Sequence, residues 1–441
     1  MSSTAETLNL RRPLEDSPMR RGQVIAILLA LSIAILDGFD VSSMSFVAPV
    51  IARAWAVDKA ALGLLLATGL VGMAAGSLAL SPFADKFGRK PLVLTALGLV
   101  TLGTFACGMS STLPQLVASR ALTGLGMGSL VSLLATMAAE FSNARSRSMA
   151  VATITIGLPL GGAVGGAVSA AVLRGGHDWH GIFFIGAIAG AVMSLVAVLT
   201  LPESPAFLID RRPADALARL NKVLRRLGHD GVDDLPPVAS TRTVSYRALF
   251  SRGTASDTVR LIAVNVLMII AGYYIINWLP QIIAGLGFTP ATASLVASMS
   301  GVLGIASPLI CGALAMRLGT ARVATVVMIC FGLSLVVIGF VPPVLAMVVL
   351  AACSAAFFLS GSAAVFQARV IETFSPPMRA TALGFILGVG RVGSGLGPYL
   401  AGLMFGAGMT RGTVSICFAV LTVIAGLLVG VTRPKPVLAM S

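Results

Sequence analysis

The chain has 441 residues, of which 56% are hydrophobic and 11% charged, and its mean hydropathy is +0.94. Soluble globular domains carry about 25% charged residues, so this composition excludes that class and indicates a membrane protein. The net charge of +14 is typical of nucleic-acid-binding proteins, but the basic residues are scattered over separate loops. We therefore expect no nucleic-acid partner.

Apolar stretches long enough to cross about 30 Å of hydrocarbon recur along the chain. They predict an all-α membrane protein with twelve transmembrane helices in two pseudo-symmetric six-helix bundles. The predicted spans are 23–49, 60–82, 91–111, 113–138, 148–173, 181–201, 259–285, 290–314, 321–341, 344–366, 379–405 and 412–431.

Domain boundaries follow from these spans. The segment before span one is polar, and the apolar run after it is too long to be the core of a cleavable signal peptide. The predicted domains are a tail over 1–22, a bundle over 23–201, a linker over 202–258, a bundle over 259–431 and a tail over 432–441.

The basic residues predict the orientation. With the N-terminus in the cytoplasm, 25 of the 31 Lys and Arg residues fall on the cytoplasmic side and 2 within spans, and only Arg53, Lys59, Arg174 and Arg411 fall outside. The reverse topology would invert this bias, against the positive-inside rule. We predict a multi-pass protein of the cell inner membrane with both termini cytoplasmic.

The linker contains one amphipathic segment. Within 213–228, apolar side chains such as Leu220, Leu224 and Leu227 recur at helical spacing, with arginines on the other faces. We expect this helix to lie on the inner membrane face near anionic headgroups, which makes membrane lipid a predicted partner. The linker has no Gly-rich phosphate-binding motif and is too short for a nucleotide-binding domain, which excludes ATP-driven transport.

Two carboxylic acids lie inside span one, where each costs about 2.5–3.5 kcal/mol to insert. Asp37 and Asp40 are three residues apart, which places both on one helix face. Two such groups in a low dielectric cannot both ionise cheaply, so one of them can carry a proton. We assign Asp37 and Asp40 to proton coupling, with a helix-packing pair as the alternative.

Two arginines also lie inside spans. Arg120, in span four, is expected at a depth similar to that of Asp40, because both lie roughly 10–15 Å below the outer helix ends. It is predicted to bind substrate or to form a static pair with Asp40. Arg391 lies near the middle of span eleven, which contains no acid. A guanidinium binds a carboxylate through two parallel hydrogen bonds, so we assign Arg391 to a carboxylate substrate, with a structural pair as the alternative.

Span seven concentrates aromatic and amide side chains at one depth. Aromatic surface favours stacking on a ring, and the alternative is plain core packing or an interfacial belt. The predicted substrate-binding residues of this span are Tyr273, Tyr274, Asn277, Trp278 and Gln281.

No sequence pattern indicates a metal site or a reaction centre. The five Cys lie in apolar spans and the three His in loops, without metal-ligand spacing or a nucleophile beside a base. We expect no metal, no cofactor and no enzymatic activity.

The two halves of the chain repeat. Glu140 and Arg147 recur 232 residues later as Glu372 and Arg379, and each pair precedes a glycine-rich apolar segment. A period of half the chain is longer than any solenoid repeat. It is typical of transporters built from two parallel bundles that are related by an axis along the membrane normal.

The segment Pro82–Lys90, which reads PFADKFGRK, resembles the signature loop between the second and third helices of the major facilitator superfamily, and the resemblance extends over the whole chain. A degenerate copy lies at 312–322. The resemblance implies a gate, in which Asp85 contacts basic groups and the start of helix eleven. The residues assigned to gating are Asp85, Gly88, Arg89, Glu140, Arg147, Glu372 and Arg379.

Within that superfamily, the motifs at 37–40, 120–128, 140–141, 202–205 and 390–393 are similar to those of the aromatic acid:H⁺ symporter family. This resemblance implies a proton-coupled importer of a small aromatic carboxylate that works by alternating access. It gives Asp37 and Asp40 the coupling role, and Arg120 and Arg391 charge compensation or substrate binding. Where the family often has a Pro-Asn pair in helix four, this chain reads SLVS at 129–132, which leaves open the acid that is carried.

Other functions remain open from the sequence. The Gly/Pro-rich stretch at 157–162 is typical of proton-coupled drug or metabolite exporters, and the motif PESP at 202–205 prompts a sugar or polyol porter. A membrane sensor would carry a folded signalling domain, for which the linker is too short. We expect a monomer.

Overall fold

The computed structural model describes residues 17–235, 246–251, 253–375 and 378–432, without the side chains of residues 85, 131 and 380. Parts of both predicted tails and of the linker therefore lie outside the described residues. Every regular element within them is a helix. Eleven of these helices are long and apolar enough to cross a membrane, and the predicted all-α membrane fold is confirmed.

The described residues of the first half and the linker form nine α-helices and one 3₁₀ turn. The helices are α1 (Arg21–Ala54), α2 (Lys59–Ala79), α3 (Ser81–Phe87), α4 (Arg89–Met109), α5 (Leu113–Glu140), α6 (Arg147–Arg174), α7 (His180–Thr200), α8 (Pro205–Arg211) and α9 (Ala216–Leu227), followed by the 3₁₀ turn Tyr246–Phe250.

Seven α-helices lie in the part of the second half that the structure describes. They are α10 (Ala255–Gly285), α11 (Pro290–Leu318), α12 (Thr320–Phe340), α13 (Leu345–Thr373), α14 (Arg379–Val392), α15 (Leu396–Gly406) and α16 (Arg411–Val431).

Span eleven is not the continuous helix predicted over 379–405. It divides into α14 and α15, because Gly393, Ser394 and Leu396 donate their N–H groups three residues back instead of four. Gly393 N–H donates to the Gly390 carbonyl at 2.9 Å, and Leu396 N–H to the Gly393 carbonyl at 3.1 Å. The break begins one residue after Arg391, where α14 ends at Val392.

The chain forms two compact units. The first comprises the described residues of Met1–Val41, Gly72–Gly161 and His180–Thr241, and the second those of Ser42–Val71, Gly162–Trp179 and Arg242–Ser441. The predicted bundle boundaries at 23–201 and 259–431 remain predictions.

In the first unit, α4 packs against both α5 and α7, and glycines let α1 approach α6. A Cβ on Gly38 would lie 2.2 Å from the Leu158 carbonyl oxygen, and one on Gly161 would lie 2.0 Å from that of Ile35. Side chains at these positions would force the helices apart, so the glycines set the crossing. The glycine-rich segment of span five is accounted for by this contact.

In the second unit, α12 packs against α13 and α16, α11 packs against α13, and α10 lies against α14, α15 and α16. A Cβ on Gly397 of α15 would lie 2.2 Å from the Ile270 carbonyl oxygen of α10. Both segments of the broken helix thus pack against α10. This helix carries the aromatic and amide residues that the sequence predicts to bind substrate.

The linker helix α9 differs from its prediction. Its apolar side chains Leu220, Val223, Leu224 and Leu227 are buried in the core cluster that also contains residues of α1, α5 and α7. The apolar face of α9 therefore packs on protein, and only its basic face remains exposed. The predicted apolar contact with lipid is corrected, because neighbouring helix ends offer a nearer apolar surface.

Candidate functional site

Asp40 and Arg120 form a buried ion pair in the first unit. Arg120 Nη1 lies 2.9 Å from Asp40 Oδ2, and the same nitrogen donates to the Asp40 carbonyl oxygen at 3.3 Å. The exposed fractions are 1% for Asp40 and 4% for Arg120. The pairing predicted from helix depth is therefore present, and each charge compensates the other in a site almost closed to solvent.

Thr104, on α4, completes this cluster and was missed from the sequence. Its hydroxyl donates to Asp40 Oδ1 at 2.6 Å, so each carboxylate oxygen of Asp40 accepts a hydrogen bond. Asp37 is also buried, with 2% of its surface exposed. A hydroxyl in mid-helix commonly bonds its own backbone, as Thr104 also does to Val100, and gives no sequence signal of a tertiary partner.

Arg391 lies in the last turn of α14, in the second unit. Its side chain is half-buried. Among the described residues, its guanidinium has no ion pair and no hydrogen-bond partner. A cation suits a helix C-terminus, but a helix dipole alone does not supply the acceptors that five N–H donors require. The site can therefore take an anion with two acceptor oxygens.

The break in span eleven starts a second helix segment a few residues after Arg391. Helix α15 begins at Leu396, but its first turn has few free donors: the N–H groups of Leu396 and Tyr399 donate to the Gly393 and Gly395 carbonyls, and Pro398 has no N–H. The guanidinium ends one helix segment, and a new helix N-terminus follows within a few residues. Discontinuous helices of this kind hold anionic substrate groups in many transporters.

Two of the predicted binding residues pack in the helix interface instead. Tyr274 is fully buried, stacks on Phe418 with centroids 4.1 Å apart, and exchanges a hydrogen bond with Ser415 at 2.9 Å. Trp278 Nε1 donates to the Pro398 carbonyl oxygen at 3.0 Å. These contacts assign Tyr274 and Trp278 to the packing of α10 on α16 and α15, as in the core-packing alternative.

The other predicted binding residues of α10 place polar atoms near this interface. Asn277 Nδ2 donates to the Tyr273 carbonyl oxygen at 2.9 Å, and its Oδ1 accepts from Ser45 Oγ at 3.2 Å. Gln281 Oε1 is buried without a hydrogen-bond partner among the described residues. Tyr273 is half-buried. Tyr273, Asn277 and Gln281 remain predicted substrate contacts.

The predicted gate residues of the first unit form a network at the start of α4. Arg89 Nη2 lies 2.7 Å from Glu140 Oε1, and Ser204 Oγ donates to Glu140 Oε2 at 2.5 Å. Glu203 Oε1 accepts the backbone N–H groups of Arg89 and Lys90 at 2.9 and 3.1 Å. A carboxylate at a helix N-terminus is electrostatically favoured, and this capping role of Glu203 was missed from the sequence.

The second unit has a related arrangement around Glu372. Its Oε2 lies 3.5 Å from Arg369 Nη1 and accepts a hydrogen bond from the Thr320 hydroxyl. Arg369 is buried and also donates to Thr432. Arg379 Nε donates to a backbone carbonyl five residues earlier at 3.2 Å. Arg369 was not singled out from the sequence.

Corresponding glycines precede α4 and α12. Gly88 has φ 107° and Gly319 has φ 89°, values that side-chain-bearing residues rarely adopt. The sequence repeat is therefore also a repeat of backbone conformation. Arg147 begins α6 and is exposed, and the side chain of Asp85 lies outside the described residues.

Comparison with known proteins shows which family has this architecture. The model of the Major Facilitator Superfamily matches residues 30–289 and 261–439. The chain is similar to the 4-hydroxybenzoate transporter PcaK of Acinetobacter baylyi, with 30% identity over 91% of this chain and 89% of that protein. It is 27% identical to the gallate transporter of Pseudomonas putida, over 90% of this chain and 88% of that one.

The 3-(3-hydroxy-phenyl)propionate transporter of Escherichia coli is 28% identical, over 90% of each chain. Among solved structures, an inward-facing bacterial homologue of the lysosomal transporter Spinster has a TM-score of 0.72 at 16% identity and covers 94% of this chain and 99% of its own. The xylose transporter XylE of E. coli has a TM-score of 0.70 at 16% identity, with 93% and 96% covered. These structures share the fold.

The family model covers most of the chain, and the hydroxybenzoate relative aligns along nearly its whole length. The chain belongs to the Major Facilitator Superfamily and, within it, to the aromatic acid:H⁺ symporter family, whose members are transporters and not enzymes.

Proposed function

We propose that this protein is a proton-coupled secondary transporter that imports a small aromatic carboxylate by alternating access. It acts as a monomer in the cell inner membrane, with both termini in the cytoplasm. The relatives named for 4-hydroxybenzoate, gallate and 3-(3-hydroxy-phenyl)propionate support the substrate class, because each compound joins one carboxylate to a hydroxylated ring.

The observation that carries this proposal is the state of Arg391. A half-buried guanidinium inside an apolar span is costly unless an anion compensates it, and the described residues supply none. A bidentate carboxylate would satisfy both the charge and the fork of donors. We assign the substrate carboxylate to Arg391.

Arg120 is a weaker candidate for the same role. It is already compensated by Asp40 at 2.9 Å and is almost fully buried. A substrate carboxylate would have to displace Asp40, and a displaced buried carboxylate is left without its partner at a cost of several kcal/mol. We assign Arg120 to the proton-coupling cluster instead.

The proton side of the mechanism centres on Asp40. Its carboxylate accepts from Arg120 on one oxygen and from Thr104 on the other. Protonation of Asp40 removes the negative charge that holds Arg120, so proton uptake and rearrangement of the pair are linked. Asp37, one helical turn earlier and also buried, is the second group of the proton path.

The test is uptake into proteoliposomes with an alkaline interior. Labelled 4-hydroxybenzoate is expected to accumulate above its external concentration, and a protonophore is expected to abolish that accumulation. Unlabelled gallate should compete, whereas the neutral sugar xylose should not. Accumulation of xylose in place of the aromatic acid would overturn the proposal in favour of a sugar porter.

A further inference from the structure

Asn265 is a fully buried polar residue of α10 that lies against the end of α14. Its Nδ2 donates to the Ile386 carbonyl oxygen at 2.8 Å. Its Oδ1 is buried and has no hydrogen-bond partner among the described residues. An unsatisfied buried carbonyl costs about 1–3 kcal/mol, so helix packing alone would favour an apolar side chain here.

Gly390 receives the amide of Asn265. A Cβ on Gly390 would lie 2.0 Å from Asn265 Nδ2 and 2.7 Å from its Cγ. No side chain fits at position 390 while Asn265 keeps its place. The glycine and the amide form one contact, which we name the amide latch.

The amide latch fixes the chain immediately before Arg391. On the other side of the break, Gly397 lies close enough to Ile270 that a Cβ would sit 2.2 Å from the Ile270 carbonyl oxygen. Helix α10 thus holds the chain both before and after the guanidinium. Successive residues of an α-helix are about 100° apart, so holding Gly390 against α10 sets the direction in which Arg391 leaves the helix.

We propose that Asn265 is a positioning residue for substrate binding: through the amide latch it sets the rotation and depth of Arg391. The inference rests on the proposed carboxylate role of Arg391. Its physical basis is that a guanidinium fork recognises a carboxylate only in a narrow geometry, and that displacement by about 1 Å can cost as much as 100-fold.

The experiment uses the full-length protein in proteoliposomes and compares three variants. Asn265→Ala removes the latch, and Gly390→Ala inserts a methyl group against the amide. The double variant places that methyl group in the space that the amide vacates. Binding of 4-hydroxybenzoate and of its neutral amide is measured for each variant, with Thr258→Ala as a control that loses a buried hydrogen bond elsewhere on α10.

Asn265→Ala and Gly390→Ala are each expected to weaken binding of the acid by about tenfold or more and to leave binding of the amide almost unchanged. The double variant should bind the acid at least as well as Gly390→Ala, because the collision is removed. Equal loss for acid and amide, or binding of the acid by Asn265→Ala as in wild type, would overturn the positioning role.

Arg391→Lys is measured in parallel to separate this inference from the proposed function. If Arg391→Lys discriminates acid from amide and Asn265→Ala does not, only the positioning role fails. If Arg391→Lys discriminates neither, the carboxylate assignment itself fails. Should Asn265→Ala not fold, Asn265→Ser, which keeps a small polar group, is measured against the same two ligands.

Discussion

Ser45 Oγ donates to Asn277 Oδ1 at 3.2 Å, and the two residues are 232 positions apart. The same separation relates Glu140 to Glu372 and Arg147 to Arg379. Ser45 of α1 and Asn277 of α10 are thus separated by the same interval as these two motif pairs.

A double-mutant cycle tests this contact. Ser45→Ala and Asn277→Ala should show a coupling free energy of about 0.5–1.5 kcal/mol, the usual net value of a neutral hydrogen bond. Thermal unfolding in detergent provides the measurement. If Ser45→Ala shifts the unfolding temperature as much in the Asn277→Ala background as in wild type, the hydrogen bond does not contribute.

The spans were predictable because each needs about 20 apolar residues, a signal that is local in the sequence. The predicted span 290–314 and helix Pro290–Leu318 begin at the same residue. The break after Arg391 was not predictable, because it depends on how closely Gly390 and Gly397 approach α10. This close approach is a tertiary contact, and it leaves no periodic pattern in the sequence.

The candidate site was predictable in part for a related reason. A charged residue in an apolar span is noticeable in the sequence without knowledge of what it contacts. Asp40, Arg120 and Arg391 were identified in this way. The direction of a side chain around its helix is set by packing, which is why Tyr274 and Trp278 proved to face α16 and α15. Thr104 gave no signal at all, since mid-helix hydroxyls are common in membrane helices.

Variants of the Asp40–Arg120 pair distinguish its contribution to stability from its role in proton coupling. Asp40→Asn leaves Arg120 buried without its counter-charge, and breaking a buried ion pair in this way typically costs about 3–5 kcal/mol. The double variant Asp40→Asn with Arg120→Gln should recover much of the thermal stability, because neither charge remains. It should still fail to accumulate 4-hydroxybenzoate against its gradient. Accumulation at the wild-type level by the double variant would exclude Asp40 from the proton path.

Asp37→Asn is expected to abolish gradient-driven accumulation too, because Asp37 is the second group assigned to the proton path. Facilitated exchange of labelled for unlabelled substrate, which requires no net proton movement, should persist in this variant. The measurement is uptake with and without a pH gradient at equal protein density. A variant that lost both activities would point to a structural role of Asp37.

The linker helix should respond to pH through His229. Burial lowers the pKa of His229 below its ordinary value of 6.5, and Arg20 lowers it further. The unfolded chain therefore binds more protons near and below pH 6.5, so docking of α9 is most stable above that pH and weakens as the pH falls. Limited proteolysis of the linker should accelerate between pH 7.5 and about 5.5. His229→Gln should remove this pH dependence while keeping a donor to Gln23.

The last prediction concerns the charge at the helix break. Arg391→Lys keeps a cation but loses the two-point fork, so the substitution should not be conservative. Loss of a charge-assisted contact from a desolvated site costs on the order of 2–5 kcal/mol, which corresponds to a loss of affinity for the acid of about 30-fold or more. The neutral amide of the same ring should bind weakly to wild type and lose little further in the variant, because it never engages the fork. The measurement is therefore a comparison of acid with amide in wild type and in Arg391→Lys. Equal losses for both ligands would assign Arg391 to the fold and return the carboxylate role to Arg120, and a selective loss for the acid would place the substrate charge at the end of α14.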